Sequence, residues 1–270
     1  MTILSHTSET VHAVAKLLLD DALEGIDFVL DTQRVSPRLF IRVADALTKG
    51  DIRVDVGTVE KAHAKYDREE NLLQLKTETS KRLRSTAPDP KKLMEQSGII
   101  HECVHAGFDV ETRGQMLRAT NEACAFTAQA LYLRIKGFGR DPKDQELLTK
   151  PEYAHYSAAF KVADSLSTLP RSGGSAPAVI AAFFRTLAKS FSTDTPLLMK
   201  IGEALLATQH FLPGGADPQR VQELRKAVWD RPLYKELIGD DPVVNFDGVA
   251  SRAATRPSTG PRRTGGGTHR

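Results

Sequence analysis

Residues 99–105 read Ile-Ile-His-Glu-Cys-Val-His, and the rest of the 270-residue chain is best read outward from them. His101 and His105 are four apart, so on an α-helix they stand one turn above each other on one face. That spacing lets both imidazoles reach one metal ion at roughly 2.0–2.1 Å, the zinc–nitrogen bond length. Glu102 follows the first histidine, where its carboxylate can reach a water on the same ion. The string is H-E-x-x-H, whose chemistry is metal-activated water attacking a polarised carbonyl.

The flanks predict the helix that this chemistry needs. In Pro88-Asp89-Pro90, Asp89 suits an N-cap and Pro90 the first helical position. Leu93, Met94, Ser97, Val104 and Phe108 follow at helical spacing on or near the histidine side. The motif thus falls in the second half of a predicted helix of about four to five turns. Cys103 lies between the histidines in sequence but about 200° round the helix from His101. Both cysteines, Cys103 and Cys124, read as small buried hydrophobes rather than metal ligands.

Composition narrows the class. The apolar and charged fractions, 40% and 26%, are those of an ordinary globular protein. Net charge is +3, but residues 251–270 hold five arginines and no acid, so the remainder carries −2 (+3 less those five). The basic excess belongs to a tail, and no nucleic-acid-binding face is expected. Two cysteines are too few for a disulfide scaffold. No basic-then-apolar leader opens the chain and no run nears a membrane span. The expectation is a cytoplasmic protein, or one exported without a cleaved signal peptide, with no membrane partner.

Along the chain, apolar spacing predicts a helix over 10–24, a short strand over 26–30, and a helix from Ser36-Pro37 to Ala46 stopped by Gly50. Residues 51–56 alternate as a half-buried strand. Tyr66-Asp67 begins a polar turn, and Asn71 leads into a strand ending at Lys76. An exposed strand there could bind a peptide by sheet extension, although an ordinary hairpin fits as well. Residues 77–88 read as loop or frayed helix. Thr120-Asn121-Glu122 is read as the cap of a helix over 123–135, whose alanines at 123, 125, 128 and 130 permit close helix packing. Beyond Pro151 the reading is helical: 152–166, 176–190, 196–207, and a helix capped by Asp217-Pro218 running to Val228. The Gly-, Thr-, Pro- and Arg-rich stretch from about residue 250 reads as disordered.

Catalytic zinc sites commonly keep three protein ligands. Glu122, at the start of a separate helix seventeen residues after His105, is the first choice for the third; its other reading is a first-turn acid favoured by the helix dipole. Glu111 competes, but needs a sharp glycine turn three residues after His105, where Phe108 stands and Gly107 comes one residue early. Asp109 reads as a partner to a ligand or a solvated helix-end acid.

His101-Glu102-Cys-Val-His105 followed by Asn121-Glu122-Ala-Cys-Ala resembles the zincin metallopeptidases, specifically the gluzincin branch with a glutamate third ligand. The order of elements before the motif is also similar, with a rim strand at about Leu72–Lys76. The likeness spans roughly residues 25–135. It implies an α+β, zincin-like fold, with a small N-terminal sheet and active-site helix followed by a mainly helical half. It implies that His101, His105 and Glu122 hold Zn2+ and that Glu102 is general base. The sequence departs from that family in a short 105–122 connection and in Phe126, where an acid usually stands. A Tyr or His from the helical half would serve the oxyanion, and Tyr153, His155 and Tyr156 form the densest cluster, with His210 a second candidate.

The reading is therefore a zinc-dependent peptidase acting on a peptide or protein substrate. Residues 1–249 form its single catalytic domain (about 1–140 sheet plus motif helices, about 141–249 helical) and 250–270 a basic tail. The alternatives are a metal-binding effector or interaction protein of the same fold without turnover, which would have no need of Glu102, and a helical interaction protein with a chance motif.

Overall fold

Ser36-Pro37 opens a helix for the reason expected: extended backbone at Ser36, and a proline whose missing N–H lies where no helical partner exists. Gly50, at φ 81°, closes it in the left-handed conformation that glycine adopts without strain. The same grammar recurs at Asp89-Pro90, Asp141-Pro142 and Asp217-Pro218, where each aspartate accepts a hydrogen bond from the N–H two residues on.

The computed structural model describes residues 2–60, 62–87, 89–111, 113–167, 216–231, 243–246 and 249. They form a mixed α+β, mostly helical molecule. The order is α1 (Thr2–Leu18), a 3-10 turn (Asp21–Gly25), β1 (Phe28–Leu30), β2 (Gln33–Val35), α2 (Pro37–Lys49), β3 (Arg53–Gly57), β4 (Ala64–Asp67) and β5 (Leu72–Lys76). There follow α3 (Thr77–Arg84), α4 (Pro90–Val110), β6 (Gly114–Leu117), α5 (Arg118–Ile135), α6 (Pro142–Thr149), a 3-10 turn (Pro151–Tyr153), α7 (Ala154–Ser167), α8 (Pro218–Trp229) and β7 (Val243–Phe246).

The sheet beside the motif helix has the order β3-β5-β4, with β5 parallel to β3 and antiparallel to β4. Leu72–Lys76, expected at the rim, is thus the central strand, with both ladders used. Of its two edges, the one beside the motif helix is Ala64–Asp67, within which Tyr66-Asp67 was expected to begin a polar turn. Tyr66 faces the core and the turn proper falls after Asp67, ending at Asn71 with φ 46°.

One contiguous core joins the helices to this sheet, from Val14 and Leu18 of α1 through Leu39 and Phe40 of α2 to Leu73 and Leu75 of β5. Helix α5 runs through its middle. Ala123, Ala125, Ala128 and Ala130 are all buried, so α5 meets α4, α7 and α8 as close neighbours. Helix α4 approaches α2 equally closely: a Cβ on Gly107 would collide with the Leu39 side chain. Gly107 therefore serves contact rather than helix termination. The motif helix runs on to Val110, 21 residues in all and longer than expected.

Other differences have local causes. Residues 77–84 are a full helix, packed on α1 through a buried Thr10–Ser80 hydroxyl pair at 2.8 Å. Residues 114–117 are a strand because β7, distant in sequence, pairs with them. The first helix ends at Leu18, and Asp20 caps the 3-10 turn that follows. Helix α6 was not foreseen. The expected helices over 176–190 and 196–207, His210 and the tail from residue 250 lie outside the described residues. Among the described residues no helix is long and apolar enough to cross a membrane.

Candidate metal centre

Helix α4 carries His101, Glu102 and His105, and α5 packs alongside it with Asn121 and Glu122 facing back. Helix α5 begins at Arg118, four residues before Glu122. Glu122 is therefore beyond the first turn, and its reading as a capping acid does not hold. Thr120 does not cap either: its hydroxyl donates to Asp31 Oδ2 at 3.2 Å and accepts from Arg225 at 2.7 Å. Asp31 also ion-pairs with Arg225, which ties the β1–β2 hairpin to α5 and α8.

Glu122 Oε2 lies 3.3 Å from His101 Nε2 and 3.6 Å from His105 Nε2, and the two imidazole nitrogens are 3.1 Å apart. Three atoms bound tetrahedrally to one ion at roughly 2.0–2.1 Å would be separated by about 3.4 Å. The observed triangle has that size, and all three side chains are largely buried. His101, His105 and Glu122 could therefore hold a metal ion.

The tautomer supports the same conclusion. His105 Nδ1 lies 3.0 Å from Asn121 Oδ1, an acceptor, so Nδ1 carries the proton and Nε2 presents a lone pair to the cluster. The His105 Nε2 lone pair and the Glu122 carboxylate then face one another in a buried pocket with His101 Nε2 beside them, an arrangement that suits a cation or a shared proton. Burial works against a charged His105, but the carboxylates of Glu122 and Glu102 outweigh it and raise its pKa to about 9. Burial likewise disfavours a charged Glu122, yet His105 and His101 hold its carboxyl well below the ordinary range. His101 Nδ1 is buried with no hydrogen-bond partner among the described residues. Its ring is instead wedged against Phe126, centroids 4.4 Å apart and near perpendicular.

Glu102 is fixed by the neighbouring sheet edge. Its Oε2 accepts a hydrogen bond from the main-chain N–H of Tyr66 in β4 at 2.8 Å. The Tyr66 hydroxyl in turn donates to Asp109 Oδ2 at 2.7 Å. Asp109 is fully buried, neither solvated nor bonded to His105, whose Nδ1 is taken by Asn121.

Glu111 stands outside the triangle. With α4 continuing through Val110, a residue six after His105 is about 240° round the helix. There it bonds Arg113 and lies 3.8 Å from Arg42. Of the aromatic cluster, Tyr156 packs edge-on against Phe126, the ring that also meets His101, and its hydroxyl accepts from Gln129 at 3.3 Å. Tyr153 stands further out, against Tyr156. His155 is buried against Phe126, its Nε2 without a partner among the described residues. Burial, with Arg231 and His101 nearby, pushes its pKa down to about 3. Cys103 and Cys124 are fully buried, and burial raises both thiols far above their usual range.

Asn121, and the Tyr66–Asp109 pair, escaped the sequence reading. Asn121 had a signal, since it precedes Glu122 directly. Asp109 had the right spacing from His105 but turns its carboxylate to the sheet. Comparison with protein-family models, with curated proteins and with solved structures finds no match to this chain.

Proposed function

We propose that this chain is a zinc-dependent peptidase of the zincin type, gluzincin-like in its ligand set, with residues 1–249 as one catalytic domain. The observation that carries the reading is the triangle of His101, His105 and Glu122 with an acid, Glu102, held beside it. A Zn2+ ion held there supplies a Lewis acid, which polarises a carbonyl and makes water a better nucleophile.

The chain's own residues do the rest. Asn121 keeps His105 in the tautomer that presents Nε2. The Tyr66 N–H holds Glu102 Oε2, leaving Oε1 to take a proton from the attacking water and return it to the leaving amine. Tyr156, with Tyr153 against it, is the phenol proposed for the oxyanion: it packs on Phe126, which also meets His101, and the Glu102 carboxylate adds to the burial that raises its pKa. The substrate is a peptide or protein segment that reaches the triangle beside β4 and the motif helix.

Glu102→Gln tests the reading. The variant is expected to retain stoichiometric zinc by elemental analysis and to lose hydrolysis of peptides that the wild type cleaves. Wild-type turnover by this variant, or wild-type protein that takes up no zinc, would overturn it.

A further inference from the structure

We infer that Tyr66 and Asp109 are positioning residues: their buried phenol–carboxylate bond ties strand β4 to helix α4 and so fixes the main-chain N–H that orients Glu102. The inference rests on the peptidase reading for its consequence, though not for its geometry.

Glu102 and Asp109 are seven residues apart, two turns of one helix, and so share a face. Tyr66 touches both. Its main-chain N–H reaches Glu102 Oε2 at 2.8 Å and its hydroxyl reaches Asp109 Oδ2 at 2.7 Å. One residue of the edge strand thus spans about 10 Å of helix, given a rise of roughly 1.5 Å per residue. The register shows why Tyr66 can do this. Lys76 N–H bonds the carbonyl of His63, so alternate residues of this strand, 63 and 65, turn their main chain toward β5. Residues 64 and 66 then turn theirs away, toward α4.

A buried carboxylate is a poor way merely to fill space. Its desolvation is offset only by well-made hydrogen bonds, and an apolar pair of similar volume would usually be as stable or more so. What the pair supplies instead is a fixed distance and direction between strand and helix. Strand β4 is four residues long and pairs with β5 along one side. An anchor on its other side sets how far Glu102 stands from the metal triangle, and a misplacement of about 1 Å can cost on the order of a hundredfold in turnover.

The test uses Tyr66→Phe, Asp109→Ala, Asp109→Asn and the Tyr66→Phe/Asp109→Ala double variant in the full chain loaded with zinc. Turnover is measured on a quenched-fluorescent peptide chosen because the wild type cleaves it. Amide hydrogen exchange at residue 66 is followed in parallel. Tyr66→Phe and Asp109→Ala are expected to lower kcat by about ten- to a hundredfold, with KM and zinc content unchanged. The double variant should be no worse than either single one, and Asp109→Asn, which keeps an acceptor, should recover most of the lost turnover. Exchange at amide 66 should rise about tenfold in both single variants, with the β5 amides unmoved. Wild-type kcat together with unchanged exchange at amide 66 would overturn the inference. So would losses that add in the double variant and extend to KM and zinc content. Should the wild type cleave no peptide, the peptidase reading fails, and exchange at amide 66 alone decides whether the tether exists.

Discussion

The Nδ1 of His105 meets the Oδ1 of Asn121 at 3.0 Å, so the dipeptide Asn121-Glu122 both orients one member of the candidate metal triangle and supplies another. Asn121→Ala is expected to weaken metal binding by about 10–100-fold, the usual effect of losing such a partner. Asn121→Asp, which keeps an acceptor, should restore much of it. Competition against a chromophoric chelator measures this. Equal affinity in the alanine variant would show that the His105 tautomer is set by something else.

Glu122→Gln removes the anion from the triangle. Stoichiometric metal should not survive dialysis in this variant, as read by elemental analysis. In metal-free wild type, the Glu122 and Glu102 carboxylates push the His105 pKa up to about 9, above its ordinary value of roughly 6.5. A raised histidine pKa stabilises the fold fully below the unfolded value and ceases to do so as pH rises through the folded one. Chelator-treated wild type should therefore lose stability between about pH 6.5 and pH 9, and Glu122→Gln should lose much less over that window. Urea unfolding at the two pH values checks it.

His155 acts with the opposite sign. Its folded pKa of about 3 lies below the unfolded value, so the unfolded chain takes up a proton first as pH falls. Stability should drop by about 1.4 kcal/mol per pH unit below roughly pH 6.5, as far as the folded pKa. The range between about pH 6.5 and pH 5 is the cleanest, since most carboxylates stay ionised there. His155→Phe should flatten that slope while filling the same space beside Phe126. An unchanged slope would rule out this histidine as its source.

Gly107→Ala adds a methyl where α4 meets Leu39 of α2. Overpacking of this kind costs about 1–3 kcal/mol. The gain in helix propensity from glycine to alanine, at most about 1 kcal/mol, only partly offsets it. A lower urea midpoint is expected; an unchanged one would mean that Leu39 has room to swing aside.

The motif and its helix were legible because their signals are local. Asp89-Pro90 marks a helix start, His101 and His105 share a face by spacing alone, and Glu122 was accessible as the next acid on a separate helix. What the chain does at long range was not. Leu72–Lys76 reads as a strand, but its central place depends on a parallel partner at Arg53–Gly57 that no alternation of its own residues announces. The strand character of Gly114–Leu117 needs residues 243–246. Glu111 was a fair competitor until α4 proved to continue past Phe108, which carries that side chain round to Arg113 and Arg42. Thr120 offered cap chemistry and spends it on Asp31 and Arg225. Capping preferences describe what a residue can do, and packing decides which of its options is used.

The pairing of β6 with β7 bears on the order in which the donor set comes together. Strand β6 is the link between the helix bearing both imidazoles and the helix bearing the third donor, and its ladder partner lies more than a hundred residues downstream. As the chain emerges from the ribosome, His101, His105 and Glu122 are all made long before Val243–Phe246 arrive to brace that link. The brace on that link is therefore completed only after Val243–Phe246 have been made, well behind the three side chains on either side of it.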